Sequence, residues 1–155
     1  MTEPQQVAAT FQIEKVYVKD LSLEIPHAPQ VYAEQAQTPQ IDVRIESGEL
    51  RFQQDYYEVT LSVTITARNG ERTLFLVEAV QAGIFALRNV PEANLGPLLG
   101  IACPTVLFPY LRETISDVVT RGGFPPLLLT PISFEQLYMQ RVQQGGSAPR
   151  IETAS

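Results

Sequence analysis

Two side chains in this sequence have chemistry suited to nucleophilic or acid–base catalysis, His27 and Cys103. A cysteine nucleophile needs a nearby base that takes its proton, and His27 is the only imidazole in the chain. His27 lies between two prolines in a predicted loop, whereas Cys103 precedes Pro104 inside an apolar run. These settings favour His27 as an exposed loop residue and Cys103 as a buried small hydrophobe. An enzyme that uses Cys103 remains a minor alternative.

The residue sets that hold metals and cofactors are missing from the sequence. One cysteine and one histidine cannot form a zinc site, and neither a glycine-rich phosphate loop nor a G-x-S-x-G elbow is present. We therefore expect no catalytic site, no metal and no cofactor. A single cysteine also forms no internal disulfide, which favours a reducing compartment and predicts a cytoplasmic protein.

Carboxylates supply most of the charge. The formal net charge is −6, and the first 80 residues hold 12 Asp and Glu against 6 Lys and Arg. Nucleic-acid binding needs clusters of Lys and Arg, so this balance argues against it and fits a basic partner better. The uncharged stretch 93–111 has nearly the length of a membrane span, but its five glycines and prolines favour a buried or subunit-interface segment. No membrane insertion is expected.

The elements that must position these side chains are mostly strands. Apolar and polar residues alternate in Phe11–Ile25, in Ile41–Glu46 and most clearly in Tyr57–Thr66. Prolines end the first strand, and residues 30–40 read as a long exposed crossover. Asn69-Gly70 marks a hairpin into a fourth strand.

The register of this hairpin decides which face carries Glu78. A two-residue loop at Asn69-Gly70 would bury that carboxylate opposite Leu61. A three-residue loop with Gly70 left-handed pairs Val63 with Phe75 and Leu61 with Val77, and places Glu78 on the threonine face. Because burying an unpaired carboxylate costs several kcal/mol, we expect the second register. It leaves two leucines, 74 and 76, on the wet face.

Two helices follow the strands. Leu107, Leu111, Ile115 and Val118 form one stripe of a helix over 104–120 that ends at Gly122-Gly123. Ser133 is the predicted N-cap of a second helix. The sequence thus predicts an α+β domain at 10–142, with a four-stranded antiparallel sheet followed by two helices, and flexible tails at 1–9 and 143–155. The helical half carries more apolar surface than one sheet covers, which favours an oligomer.

Aromatic residues lie near the crossover and the last helix. A sheet edge, a mobile loop and an amphipathic helix together can form a groove for extended peptide. The predicted groove residues are Tyr17, Tyr32, Ile41, Val43, Phe134, Leu137 and Tyr138.

Three segments carry a resemblance to a known family. TFQIEKVYVKDLSLEIPHAP (10–29) is similar to the opening of SecB chaperones, FLVEAVQAGIF (75–85) to their last strand, and the stretch 99–140 to their helical half with its Cys-Pro and Phe-Pro-Tyr elements. The match runs over nearly all of residues 10–142 in one order.

The resemblance implies a cytosolic chaperone without catalytic activity. It implies a homotetramer, built as a dimer of dimers, that holds unfolded precursor polypeptides in apolar grooves and delivers them to the translocation ATPase SecA. It also implies that Asp20, Glu24, Leu76 and Glu78 contact SecA, and that Val77, Ala79 and Gln81 contact another subunit. The C-terminal end differs from the acidic tails of the family that also contact SecA, since it carries Arg141 and Arg150 against Glu152 alone.

Two further alternatives stay open at this point. One is a SecB-like chaperone devoted to a toxin–antitoxin pair, which a single chain sequence does not distinguish. The other is a ligand-storage module with a closed cavity.

Overall fold

In the computed structural model, which describes residues 7–34 and 38–144, four long strands form one antiparallel sheet. They are β1 (Thr10–Glu24), β2 (Gln40–Gln53), β3 (Tyr56–Asn69) and β4 (Arg72–Arg88). The order β1-β4-β3-β2 makes β1 and β2 the two edges. The connection from β1 to β2 must therefore cross the sheet, which explains its length. The predicted four-stranded antiparallel sheet is confirmed.

Two bulges in β1 explain why its hydrophobic pattern changes phase. The pairing with β4 shifts between Ile13 and Lys15 and again between Val18 and Asp20. Each extra residue resets the alternation. One face of β1 consequently carries six apolar side chains that oppose the core residues of β4: Phe11, Ile13, Val16, Val18, Leu21 and Leu23.

The β3–β4 hairpin has the expected faces but different partners. Val63 pairs with Ala79 and Leu61 with Gln81, so the expected pairs of Val63 with Phe75 and Leu61 with Val77 are wrong by four residues. The chain turns at Gly70, whose φ of 64° is left-handed as expected. The register then shifts around Leu74.

This shift explains why one of the two leucines predicted on the wet face lies elsewhere. Leu74 falls where the register shifts between the Ala67–Phe75 and Arg68–Thr73 pairs, so it packs against the core instead of lying on the wet face. Glu78 pairs with Thr64 and joins the threonine face, as predicted.

The helical half begins earlier than the sequence pattern indicated. A short helix α1 (Glu92–Pro97) leads through a π-helical turn (Leu98–Ala102) into α2 (Cys103–Arg121). The helix α2 ends at Gly122, followed by Gly123 with φ 85°. Among the described residues, the helical run 92–121 has the length and composition of a membrane span, but core helices share those properties. The stripe at Leu107, Leu111 and Ile115 is fully buried.

The helix α2 lies across the inner face of the sheet and contacts mainly β4 and β3. The apolar inner-facing side chains of β3 are all buried, whereas those of β1 are left partly uncovered. Four apolar side chains on the inner face of β1 are between 37% and 44% exposed: Phe11, Ile13, Val18 and Leu21. The single chain therefore leaves an apolar row beside a free sheet edge.

The last helix, α3 (Phe134–Gln143), is capped as the sequence predicts. The backbone N–H of Gln136 donates to the Ser133 hydroxyl at 3.3 Å. The predicted tails at 1–9 and 143–155 stay a prediction, because residues 1–6 and 145–155 lie outside the described part of the chain.

Candidate functional site

An open apolar groove of about 620 Å³ lies at one end of the inner sheet face. The crossover forms one wall, the extended segment after α2 forms the other, and β2 and β4 contribute the floor. The groove is lined by Val31, Tyr32, Glu34, Thr38, Pro39, Ile41, Asn69, Leu74, Phe75, Phe124, Pro125, Pro126, Leu127 and Leu128.

The crossover is fastened to the end of α2 by Tyr32. Its hydroxyl donates to the Gly122 carbonyl at 2.6 Å, and its ring lies 5.6 Å from that of Phe124. The Phe124 ring in turn lies 4.8 Å from Phe75 on the groove floor. Val31 in the same turn is buried. Among the described residues of the crossover, Val31 is buried and Glu34 is half-buried while the others are exposed, so the expected exposed crossover is attached to the fold at this one turn.

An ion pair joins the crossover to the tip of the β3–β4 hairpin. The Arg72 guanidinium donates to the Glu34 carboxylate, and both side chains remain partly exposed. Since Glu34 lines the groove, this pair lies on the groove rim.

Two of the seven predicted groove residues line this cavity, Tyr32 and Ile41. Val43 follows Ile41 on the same face of β2 and is 44% exposed. Tyr17 lies on the outer sheet face, paired with Ala82 of β4. The three predicted residues of α3 do not line this cavity.

The helix α3 is held beside α1 by aromatic contacts. A Cβ on Gly100 would lie 2.5 Å from the Tyr138 ring, and one on Gly96 would lie 2.7 Å from its hydroxyl. Tyr138 thus packs directly on the backbone of these two glycines. Phe134 is buried against Phe108 with ring centroids 5.9 Å apart, while Leu137 is 38% exposed.

The apolar wall formed by Phe124–Leu128 was missed as a groove element. Its signal was available, because an apolar run with two prolines fits neither a helix nor a central strand. Leu128 is 73% exposed and lies next to the other apolar residues of the groove lining, and a contiguous exposed apolar patch of this kind marks a binding surface.

The outer sheet face collects the four residues assigned to partner contact. Glu24 pairs directly with Leu76, and the next rows pair Ser22 with Glu78 and Asp20 with Val80. All lie on the face opposite the groove floor. Asp20 and Glu24 are exposed, and Leu76 and Glu78 are half-buried.

A second polar cluster lies further along the same face. Tyr17 donates its hydroxyl to Glu58, and Lys19 contacts the other carboxylate oxygen at 2.7 Å. Burial, followed by the Glu58 hydrogen bond, raises the pKa of Tyr17 to about 12. Burial opposes ionisation of Glu58, but the hydrogen bonds from Lys19 and Tyr17 outweigh it and hold the pKa of Glu58 below its usual value.

The three residues assigned to subunit contact are buried inside this chain. Val77 and Ala79 belong to the core under α2, and Gln81 is 3% exposed. The Gln81 amide donates to the Tyr17 carbonyl at 3.3 Å, and its oxygen accepts from Thr114 of α2 at 3.1 Å. These positions face α2, so an influence on assembly would act through that helix.

Cys103 has an environment opposite to that of a nucleophile. It is fully buried at the start of α2. Burial, with a smaller contribution from Glu49, raises the pKa of its thiol to about 12. His27 is exposed in the turn after β1. Across residues 7–34 and 38–144, no group of three potential ligands could hold a metal ion.

An open apolar groove beside a free sheet edge is typical of proteins that bind extended polypeptide. The family model "Preprotein translocase subunit SecB" matches residues 4–145. Since this match covers nearly the whole chain, the protein belongs to the SecB family.

Individual relatives agree with this assignment. Protein-export protein SecB of Chromobacterium violaceum is 55% identical over 148 residues, covering 96% of this chain and 98% of the relative. Protein-export protein SecB of Methylobacillus flagellatus is 52% identical over 144 residues, covering 93% of this chain and 91% of the relative.

A solved structure shares the fold. The Mycobacterium tuberculosis Rv1957 SecB-like chaperone, in complex with a ChAD peptide from the Rv1956 HigA1 antitoxin, matches with a TM-score of 0.66 and 20% identity. The match covers 79% of this chain and 90% of that one. At this identity the likeness speaks for the fold alone.

Proposed function

We propose that this protein is a cytoplasmic protein-export chaperone that holds unfolded precursor polypeptides in the groove and delivers them to SecA. Membership of the SecB family carries this conclusion. The SecB family is a family of chaperones and not of enzymes, and the groove offers apolar contact surface instead of reactive groups.

The groove suits an extended chain with apolar side chains. Each buried apolar contact contributes about 25 cal/mol per Å², less the cost of ordering the client. One groove of this size therefore binds weakly. A long unfolded client that occupies several grooves of one assembly gains avidity, which a folded protein does not.

Client binding is tested by a matched pair of leucine substitutions. Leu128→Asp places a charge in the groove wall, whereas Leu50→Asp places the same charge on the opposite sheet face, at another exposed leucine. We expect roughly a tenfold loss of affinity for an unfolded precursor with the first variant and little change with the second, measured by fluorescence anisotropy. Equal affinities for both variants would contradict the groove assignment.

We further propose that the outer sheet face binds SecA. The exposed carboxylates Asp20 and Glu24, the half-buried Glu78 and the apolar Leu76 form one continuous patch, which complements a basic partner with an apolar side chain. Titration of SecA against wild type and Glu24→Ala/Glu78→Ala, with client holding measured alongside, separates the two surfaces. SecA affinity should collapse while client holding persists. Unchanged SecA affinity would show that this face is assigned wrongly.

The homotetramer, a dimer of dimers, is supported by the uncovered apolar row on β1. These side chains lie on β1, which is a free edge strand, and a second copy can cover them there. Val18→Asp or Leu21→Asp should reduce the assembly to smaller species in native mass spectrometry. Asp at Leu50, which is exposed on the outer face, serves as the control and should leave the assembly intact.

A further inference from the structure

The ion pair between Glu34 and Arg72 connects two segments that border the groove. Glu34 follows the short helical turn Gln30–Ala33 of the crossover, and Arg72 is the first residue of β4 after the hairpin turn. Their side chains are 32% and 40% exposed. The pair therefore bridges the crossover wall to the hairpin at the groove rim.

The crossover has a second attachment of a different kind. Tyr32 is fastened to Gly122 by a part-buried hydrogen bond of 2.6 Å and to Phe124 by ring contact. This attachment involves no formal charge and responds little to salt. The Glu34–Arg72 pair is exposed to solvent, so dissolved ions screen it.

We propose that the Glu34–Arg72 ion pair is a salt-sensitive latch that narrows the client groove by holding the crossover against the β3–β4 hairpin. The inference rests on the proposed client-binding role of the groove. The two attachments differ in strength, and the solvent-exposed one opens first. Opening it leaves the turn Gln30–Ala33 attached through Tyr32 and Gly122, so this turn and the wall at Glu34 become more mobile.

A latch of this kind lowers the apparent affinity for clients. The groove is open even with the pair formed, so the pair weakens client binding without excluding clients. A polypeptide binds more tightly to the molecules in which the pair is open, and the apparent dissociation constant falls as their fraction grows. Exposed ion pairs shift such an equilibrium by a factor of about two to five. Salt should therefore strengthen client binding, which is opposite to its effect on binding driven by charge attraction.

The test compares wild type with Glu34→Gln on the full-length protein. The probe is a fluorescently labelled, uncharged Gly/Ser peptide that carries leucine and phenylalanine. At about 10 mM salt, where the Debye length is about 30 Å, Glu34→Gln should bind it two- to five-fold more tightly than wild type. At about 300 mM salt the two proteins should converge. Glu34→Arg/Arg72→Glu, which reverses the pair, should restore the wild-type salt dependence.

Glu71→Gln is the matched control. It removes the same charge from the exposed neighbour of Arg72 without touching the pair. Its binding should follow wild type at both salt concentrations. The latch is overturned if Glu71→Gln and Glu34→Gln gain affinity for the peptide to the same extent. It is also overturned if Glu34→Gln and wild type bind the peptide equally well at low salt.

A client-free measurement separates this proposal from the role of the groove. The Val31 and Tyr32 amides donate to the carbonyls of His27 and Pro29 at 2.9 and 3.1 Å, so their hydrogen exchange reports on the crossover. Exchange there should be faster in Glu34→Gln at low salt. Unchanged exchange overturns the latch. Faster exchange without peptide binding by any variant overturns the client-binding role of the groove instead.

Discussion

The inner face of the sheet ends in an open apolar groove, whereas the outer face presents hydroxyl groups and charges. Strand β4 contributes to both, because Phe75 forms the groove floor and its neighbour Leu76 pairs with Glu24 on the outer face. Neighbouring residues in a strand point to opposite sides. One strand therefore supplies two surfaces whose chemistry can be altered separately.

The largest difference between the faces should appear in stability. Phe75 is 3% exposed, so Phe75→Ala should reduce the free energy of unfolding by about 3–5 kcal/mol. Leu76→Ala should cost about 1 kcal/mol or less, since Leu76 is half-buried on the outer face. Urea unfolding at fixed protein concentration measures both. Similar losses would show that the outer face packs as tightly as the core.

Gln81 is a polar side chain buried on the inner face, and its substitution shows how much its hydrogen bonds contribute to stability. Gln81→Leu removes one acceptor of the Thr114 hydroxyl, which keeps the Tyr110 carbonyl as acceptor at 3.0 Å, and should cost about 0.5–1.5 kcal/mol. The double variant Gln81→Leu/Thr114→Val removes both partners and should recover most of the loss. A loss in the double variant equal to the sum of the losses in Gln81→Leu and Thr114→Val would mean that the two side chains are not energetically coupled.

A smaller effect is expected from the ionised cluster on the outer face. The depressed pKa of Glu58 means that its ionised form stabilises the fold above the unfolded pKa, and this contribution is lost as pH falls through the folded pKa. Lys19 is half exposed, so Glu58→Gln should cost only about 0.5–1 kcal/mol at neutral pH. The difference between the two proteins should shrink in acid, as measured by unfolding at several pH values. A difference that is constant down to acid pH would show that the charge of Glu58 contributes nothing.

The smallest effect on function is expected from substitution of Cys103, which is buried in the core and does not line the groove. Cys103→Ala should leave client holding unchanged, and the wild-type thiol should react with a thiol reagent at neutral pH only when the protein unfolds, since its pKa is raised to about 12. Loss of function in Cys103→Ala with intact stability would favour the enzyme alternative.

The sequence predicted the faces of the strands better than their partners. Alternation in Tyr57–Thr66 assigns every side chain to a face, and the burial pattern follows it except at Thr60, which is buried on the polar face. The hairpin partners were wrong because the chain turns with Asn69 paired to Arg72 and then shifts register around Leu74. Such a shift depends on side-chain packing that alternation does not encode.

The groove was only partly predictable for a related reason. Tyr32 and Ile41 could be chosen from residue type and their place near the crossover. The opposite wall comes from Phe124–Leu128, some eighty residues later, and only the fold brings the two segments together. The placement of Tyr17 on the outer face depends on the second bulge of β1, which the sequence pattern shows only as a change of phase.

The register shift at Leu74 has a consequence for how such a protein can diverge. Leu74 and Phe75 both line the proposed client groove although they are consecutive, and the half-buried Leu74 can vary at a smaller cost to folding than the buried Phe75. The positions proposed for SecA contact begin only at Leu76. On these two proposals, substitutions at Leu74 can change the range of clients over generations without disturbing SecA docking on the other side of the sheet.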